Sequence, residues 1–236
     1  MTTRDLTSQG PRIKEVASFE ELVSGSFSDG INALCWRRTL AGDFAELVAN
    51  LEPQEGILPL DESLLKELPL GVGGKRAVAE ILEDYHRLQA LEREPLINLI
   101  DGYPRDERPG PVATDVFSYH ADSAPVEADT WLCTYHGAPS EGLRNEEAVR
   151  KVEIPEIRQA LLEEYGGPDD EEFEEYLQDL CFDLHYDPLP EARPYSFGVG
   201  HLWRIAIDWP GSLVPPCIHR APLTEPGDPV RLLLIG

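Results

Sequence analysis

Basic residues are scarce in this chain. Twenty Lys and Arg stand against 44 Asp and Glu, a net charge of −24 over 236 residues. A surface this negative repels a phosphate backbone, which argues against a nucleic-acid partner and for attraction of cationic ligands. Ten carboxylates lie between Glu163 and Asp183 with no Lys or Arg among them, a pattern typical of a solvated face. Long apolar runs are missing too: no stretch approaches the roughly 20 residues of a membrane helix. The opening MTTRDLTSQGPRIKEV has no apolar signal core. The expectation is a cytoplasmic protein without a membrane partner. Cysteine is sparse as well. Cys35, Cys133, Cys181 and Cys217 are far apart and form no C-x-x-C pair, so buried thiols are expected rather than disulfides or a zinc knuckle.

The first half reads mainly helical. Apolar residues recur at helical spacing from Leu40 to Leu51, and Asp61 to Leu68 fits a short helix with Asp61 or Ser63 near its start. Lys75 to Glu94 is the strongest candidate, with Val78, Ile81, Leu82, Tyr85, Leu88 and Leu91 on one face and Pro95 behind it. Gly71-Val72-Gly73-Gly74-Lys75-Arg76 precedes it. The spacing is wrong for a phosphate loop, and Arg76 stands where Ser or Thr would hold magnesium, so a flexible helix entry is expected.

After a loop from Asp101 to Pro111 the period changes. Val112 to Tyr119 and Thr130 to Tyr135 read as strands. Asn145 to Tyr165 and Asp169 to Leu184 read as an inserted helical layer. Ser196 to Asp208, Leu213 to His219 and Val230 to Ile235 are strand-like again. The chain divides on this reading into a helical part, 1–111, packed as one unit on a β-rich part, 112–236, with the helical insertion at about 145–184.

His120-Ala121-Asp122 closes the first of these strands. Residues two apart in extended chain share a face, so the imidazole and the carboxylate can grip one divalent ion. A third ligand can come from His185, His201 or His219; His219 follows a strand after the Trp209-Pro210-Gly211 turn. Arg231, twelve residues on, sits alone among Val230, Leu232, Leu233 and Leu234; a guanidinium there needs a partner. Tyr119, Trp131, Thr134, Tyr135, Glu141 and Arg144 are candidates for a substrate pocket around the pair. No G-x-S-x-G elbow or placed Cys/His pair supports a hydrolase.

The order H-x-D, distant His, then Arg resembles the Fe(II)/2-oxoglutarate oxygenase superfamily. Carried over, His120, Asp122 and His219 would be iron ligands, and Arg231 would pair with the distal carboxylate of 2-oxoglutarate. The wider chain resembles a bacterial family of unknown function through Asp29-Gly30-Ile31-Asn32-Ala33-Leu34-Cys35-Trp36-Arg37-Arg38, Thr134-Tyr135-His136-Gly137-Ala138-Pro139-Ser140-Glu141 and the tail from His219-Arg220-Ala221-Pro222 to Arg231. The resemblance implies an α+β fold: a double-stranded β-helix, jelly-roll or cupin-like, with N-terminal helices and a helical insertion. It implies hydroxylation of a small molecule, for which the acidic surface suggests a cationic amino acid. The rival expectation is a non-catalytic metal-binding or metal-homeostasis protein on the same barrel, holding zinc, manganese or iron.

Overall fold

The structure, a computed structural model, describes residues 12–106, 110–225 and 227–236. The polar first eleven residues, read above for a signal core, lie outside the described residues. Four helices in the first half begin as their sequences dictate. In α1 (Phe19–Ser24), α2 (Phe44–Ala49) and α3 (Glu62–Glu67) the caps Ser18, Asp43 and Asp61 each accept a backbone N–H of the first turn. The long α4 (Val72–Gln89) starts at Gly71 with no side-chain cap of its own. The Glu46 carboxylate of α2 supplies the anion instead, accepting from the N–H groups of Gly71 and Gly74, both at 2.7 Å. A Cβ on Gly74 would stand 2.9 Å from that carboxylate and 3.0 Å from Leu70. The glycine-rich stretch is thus a socket for a neighbouring helix's acid, and not a phosphate loop.

The strands are β1 (Ile13–Val16), β2 (Ala33–Trp36), β3 (Gly56–Leu60), β4 (Leu96–Asp101), β5 (Tyr119–His120), β6 (Asp129–His136), β7 (Glu141–Leu143), β8 (Ala148–Arg150), β9 (His185–Pro188), β10 (Tyr195–Ser196), β11 (Leu202–Ala206), β12 (Ile218–Arg220) and β13 (Arg231–Ile235). They form a seven-stranded sheet in the order β1-β2-β11-β6-β13-β4-β3 and a six-stranded sheet in the order β10-β7-β12-β5-β9-β8. Eight of them pair in a nested way, all antiparallel: β4 with β13, β5 with β12, β6 with β11 and β7 with β10. The molecule is therefore a mixed α+β fold built on two facing sheets.

Alternation along the strands divides the core. From the large sheet, Trp131, Cys133, Tyr135, Leu232 and Leu234 join Val78, Ile81, Leu82 and Leu88 of α4. Their neighbours Leu132, Leu233 and Ile205 face the other way, with Phe197, Trp203 and Cys217, into the space between the sheets. One polar cluster crosses the first layer. Asp84 of α4, fully buried, binds both terminal nitrogens of Arg38 and accepts from the Tyr135 hydroxyl at 2.7 Å.

Four expectations from periodicity are corrected. The first half also holds β1–β4, four of the seven strands of the large sheet. They are too short, and in β3 too interrupted by Pro59, to show a two-residue period. Val112 to Tyr119 is mostly irregular, because side chains take its backbone groups: Asp106 accepts from Thr114 N and Asp115 from Phe117 N. Leu213 to His219 becomes strand only at Ile218, since Pro215 and Pro216 offer no N–H to a ladder. The insertion begins with 3₁₀ turns and β8 before α5 (Pro155–Tyr165) and α6 (Glu171–Asp179). These helices pack a small core of Leu161, Phe173, Leu177 and Phe182 against Val112.

Candidate metal centre

Direct cross-strand partners in a sheet carry their side chains on one face. Pairing in the smaller sheet sets up a single row: Tyr195 opposite Gly142, Gly142 opposite His219, His219 opposite His120, and His120 opposite His185. The ring centroids of His120 and His219 are 4.6 Å apart, and those of His120 and His185 5.7 Å. The ring of His219 lies 6.3 Å from that of Phe197, so the row faces the space between the sheets. Tyr119, Tyr186 and Ile218 alternate onto the opposite face, in a separate cluster with Leu143.

His120, Asp122 and His219 each offer a ligand atom, and these atoms lie within 4.8 Å of one another. Asp122 sits between the imidazoles, with Oδ1 3.9 Å from Nε2 of His120 and Oδ2 3.8 Å from Nε2 of His219. The other ring nitrogens are turned to backbone carbonyls: Nδ1 of His120 to Ser118 at 2.8 Å, Nδ1 of His219 to Cys217 at 3.3 Å. A carbonyl only accepts, so Nδ1 carries a proton and, in the neutral ring, the Nε2 lone pair is free. Asp122 accepts the hydroxyl of Thr130 at 2.6 Å, which fixes one oxygen.

Electrostatics suit the arrangement. Burial opposes the charge on Asp122, but His219, Thr130 and His120 outweigh it and hold its carboxyl below the usual range. Burial, reinforced by His219, brings His120 down to about 4. At neutral pH the group is a carboxylate beside a neutral imidazole whose Nε2 points at it. Two nitrogens and one oxygen suit a borderline divalent cation such as Fe(II), Mn(II) or Zn(II).

Arg231 is 2% exposed and shares the inward face of β13 with Leu233. It donates to Ala138 O at 2.7 Å, to the Tyr103 hydroxyl at 2.5 Å, to Ser140 Oγ at 3.1 Å and to Thr134 Oγ1 at 3.4 Å. Among the described residues no carboxylate pairs with it. Burial pulls its guanidinium below the ordinary value, opposed only in part by Tyr103. It borders a cavity of about 500 Å³ together with Tyr103, Arg105, Phe117 and Val230; none of the three triad residues lines that cavity. Ser140 connects the two places, two residues before Gly142, the partner of His219.

The other pocket candidates disperse. Thr134 touches Arg231. Trp131 and Tyr135 turn into the core under α4. Tyr119 faces away from His120. Glu141 is bound by Arg220 at 2.7 Å, and Arg144 lies 3.8 Å from Glu147. Of the later histidines, His201 is turned to Arg38 O at 3.1 Å, whereas His185 joins the row. Tyr103 and Ser140 escaped the sequence reading, because their roles depend on Arg231 reaching them across other strands. No family model, curated protein or solved structure matches this chain.

Proposed function

We propose that the chain is an Fe(II)/2-oxoglutarate-dependent oxygenase that hydroxylates a small molecule. The observation that carries this reading is Arg231: a guanidinium buried on the inner face of the two-sheet core, held by hydroxyls and a carbonyl and, among the described residues, by no carboxylate, at the edge of a cavity. A buried cation so placed is completed by an anion. A dicarboxylate co-substrate with one end on Arg231 and the other toward the His120–Asp122–His219 group would supply it. The nested pairing of eight strands supports a jelly roll of the double-stranded β-helix type, a hairpin folded over into two sheets.

In this reading His120, Asp122 and His219 hold the iron, which when bound supplies the activation of oxygen for attack on a C–H bond. The chain's own groups prepare the place. The two Nδ1–H bonds to carbonyls orient the imidazoles, and Thr130 orients Asp122. Phe197, Trp203 and Cys217 keep the inner face apolar. Arg231 attracts the co-substrate by its charge and by the one Nη1–H that its bonds to Ala138, Tyr103, Ser140 and Thr134 leave free. Glu55, Asp101, Glu225 and Asp228 line the same cavity and favour a substrate with a cationic group.

One observation favours a passive metal-binding protein as the second reading: the triad does not line the cavity that Arg231 borders. Calorimetric titration of 2-oxoglutarate into the anaerobic Fe(II) form separates the two. The oxygenase reading expects binding by the wild type and a loss of about 2–5 kcal/mol in Arg231→Ala, the range for cutting one partner from a buried charge pair, with Fe(II) affinity kept. Equal affinity in both proteins, or no binding in either, leaves the passive reading in place.

A further inference from the structure

His185 is 4% exposed, and its Nδ1 is buried without a hydrogen-bond partner among the described residues. Buried ring nitrogens are as a rule satisfied, and His120 and His219 beside it both have their Nδ1 satisfied by the backbone. The exception stands next to them in the same row, directly opposite His120 in register. It arrives there on β9, the strand by which the insertion returns to the sheet. Its nitrogens are not among the atoms that gather within 4.8 Å around Asp122, so it is too far out to complete the ligand set. Lys151, in the 3₁₀ turn that follows β8, donates its ammonium to Ser118 Oγ at 3.0 Å instead.

Resting on the reading that the triad binds a metal ion, we propose that His185 is a positioning residue of that centre: its imidazole N–H donates a hydrogen bond to an anionic oxygen, such as a carboxylate oxygen, bound on the open side of the metal. A ring nitrogen left without a partner in the row of ligand histidines is completed by such an oxygen when it carries the ring's N–H. The oxygen gains a charge-assisted bond, stronger than a neutral one. The insertion, returning through β9, then delivers one of the groups that choose what binds there.

The test uses the full chain loaded with Co(II), whose visible absorption reports coordination, and formate as the carboxylate probe. Wild type is compared with His185→Leu, which removes the donor, and His185→Gln, which restores one. Co(II) affinity is expected to stay within about threefold in all three. Formate affinity should fall about tenfold in His185→Leu and recover to within about threefold in His185→Gln, the effect of one hydrogen bond to a charged group. Thermal unfolding checks that the leucine variant folds; His185→Phe, which keeps a ring, replaces it if it does not. Formate affinity indifferent to residue 185 overturns the proposal alone. A large loss of Co(II) affinity in His185→Leu also overturns it, by making His185 part of the ligand set. Absence of Co(II) binding by the wild type overturns the metal-centre reading and this proposal together.

Discussion

The ring of Tyr195 lies across Gly142, so close that a Cβ at position 142 would sit 2.2 Å from it. Tyr195 also stacks at 5.7 Å on Phe197, and its hydroxyl meets Cys217 Sγ at 3.5 Å. Gly142 is the cross-strand partner of His219, so the clearance over one glycine sets the wall beside a candidate ligand. The variant Gly142→Ala is expected to lose about 1–3 kcal/mol of stability through overpacking and to bind divalent metal more weakly. Urea unfolding and Co(II) titration measure the two effects. An alanine variant with unchanged midpoint and affinity would show that the ring moves aside freely.

The buried Arg38–Asp84 pair makes a second prediction. Asp84→Ala leaves a guanidinium in the core under α4 and should cost about 3–5 kcal/mol. Tyr135→Phe removes one bond to the same carboxylate and should cost about 1 kcal/mol. Replacing the pair together, as Arg38→Met with Asp84→Leu, should be milder than Asp84→Ala alone. Denaturant midpoints rank the three, and a double variant worse than the single one would contradict this account.

Acid should weaken the metal-free protein in a defined window. His120 and His185 are both brought down to about 4, by burial first and then by a neighbouring histidine. An unfolded histidine titrates near 6.5. Folded pKa values below unfolded ones mean that the unfolded state takes up protons first as the pH falls. Stability is therefore flat above about 6.5 on this account and declines between about 6.5 and 4, by up to about 1.4 kcal/mol per pH unit for each proton. Unfolding free energies of wild type and His185→Gln over that range check it; equal slopes in the two proteins would count against the contribution of His185.

Thiol chemistry offers a simple readout. Cys35, Cys133 and Cys217 are buried, and burial pushes each up to about 12. Cys181 is exposed. Under native conditions one thiol should react quickly with a colorimetric disulfide reagent, and four in denaturant. Fast native reaction of a second thiol would mean that one of the core layers opens readily.

The H-x-D pair was legible because two residues of an extended segment need only local geometry to share a face. His219 was legible in part: its place after a turn suggested a returning strand, while its register against His120 depends on pairing across the sheet. His185 was only one of three late histidines, and its position follows from β9 leaving the insertion to pair with β5. Long helices such as α4 show in the sequence because eighteen residues repeat their period several times. β5 and β10 have two residues each and β12 three; they exist through their neighbours, and no local pattern announces them. The Gly71–Gly74 stretch had a legible form but an illegible partner, since the anion it receives belongs to Glu46.

The nested pairing has a kinetic consequence. β13, the last strand in chain order, fills the slot between β6 and β4. Until it enters, the large sheet consists of two separate pieces, β1-β2-β11-β6 and β4-β3. Joining them closes a loop from Leu96 to Ile235, shorter than the loop that β2 and β11 close between Ala33 and Ile205 but still long, and contacts so distant in sequence slow the search for the native state. Arg231 rides on that strand. The group that reaches toward Tyr103, Ser140 and Thr134 therefore takes its place only when the two halves of the sheet are sewn together, so assembly of the sheet and completion of the cavity edge are one event.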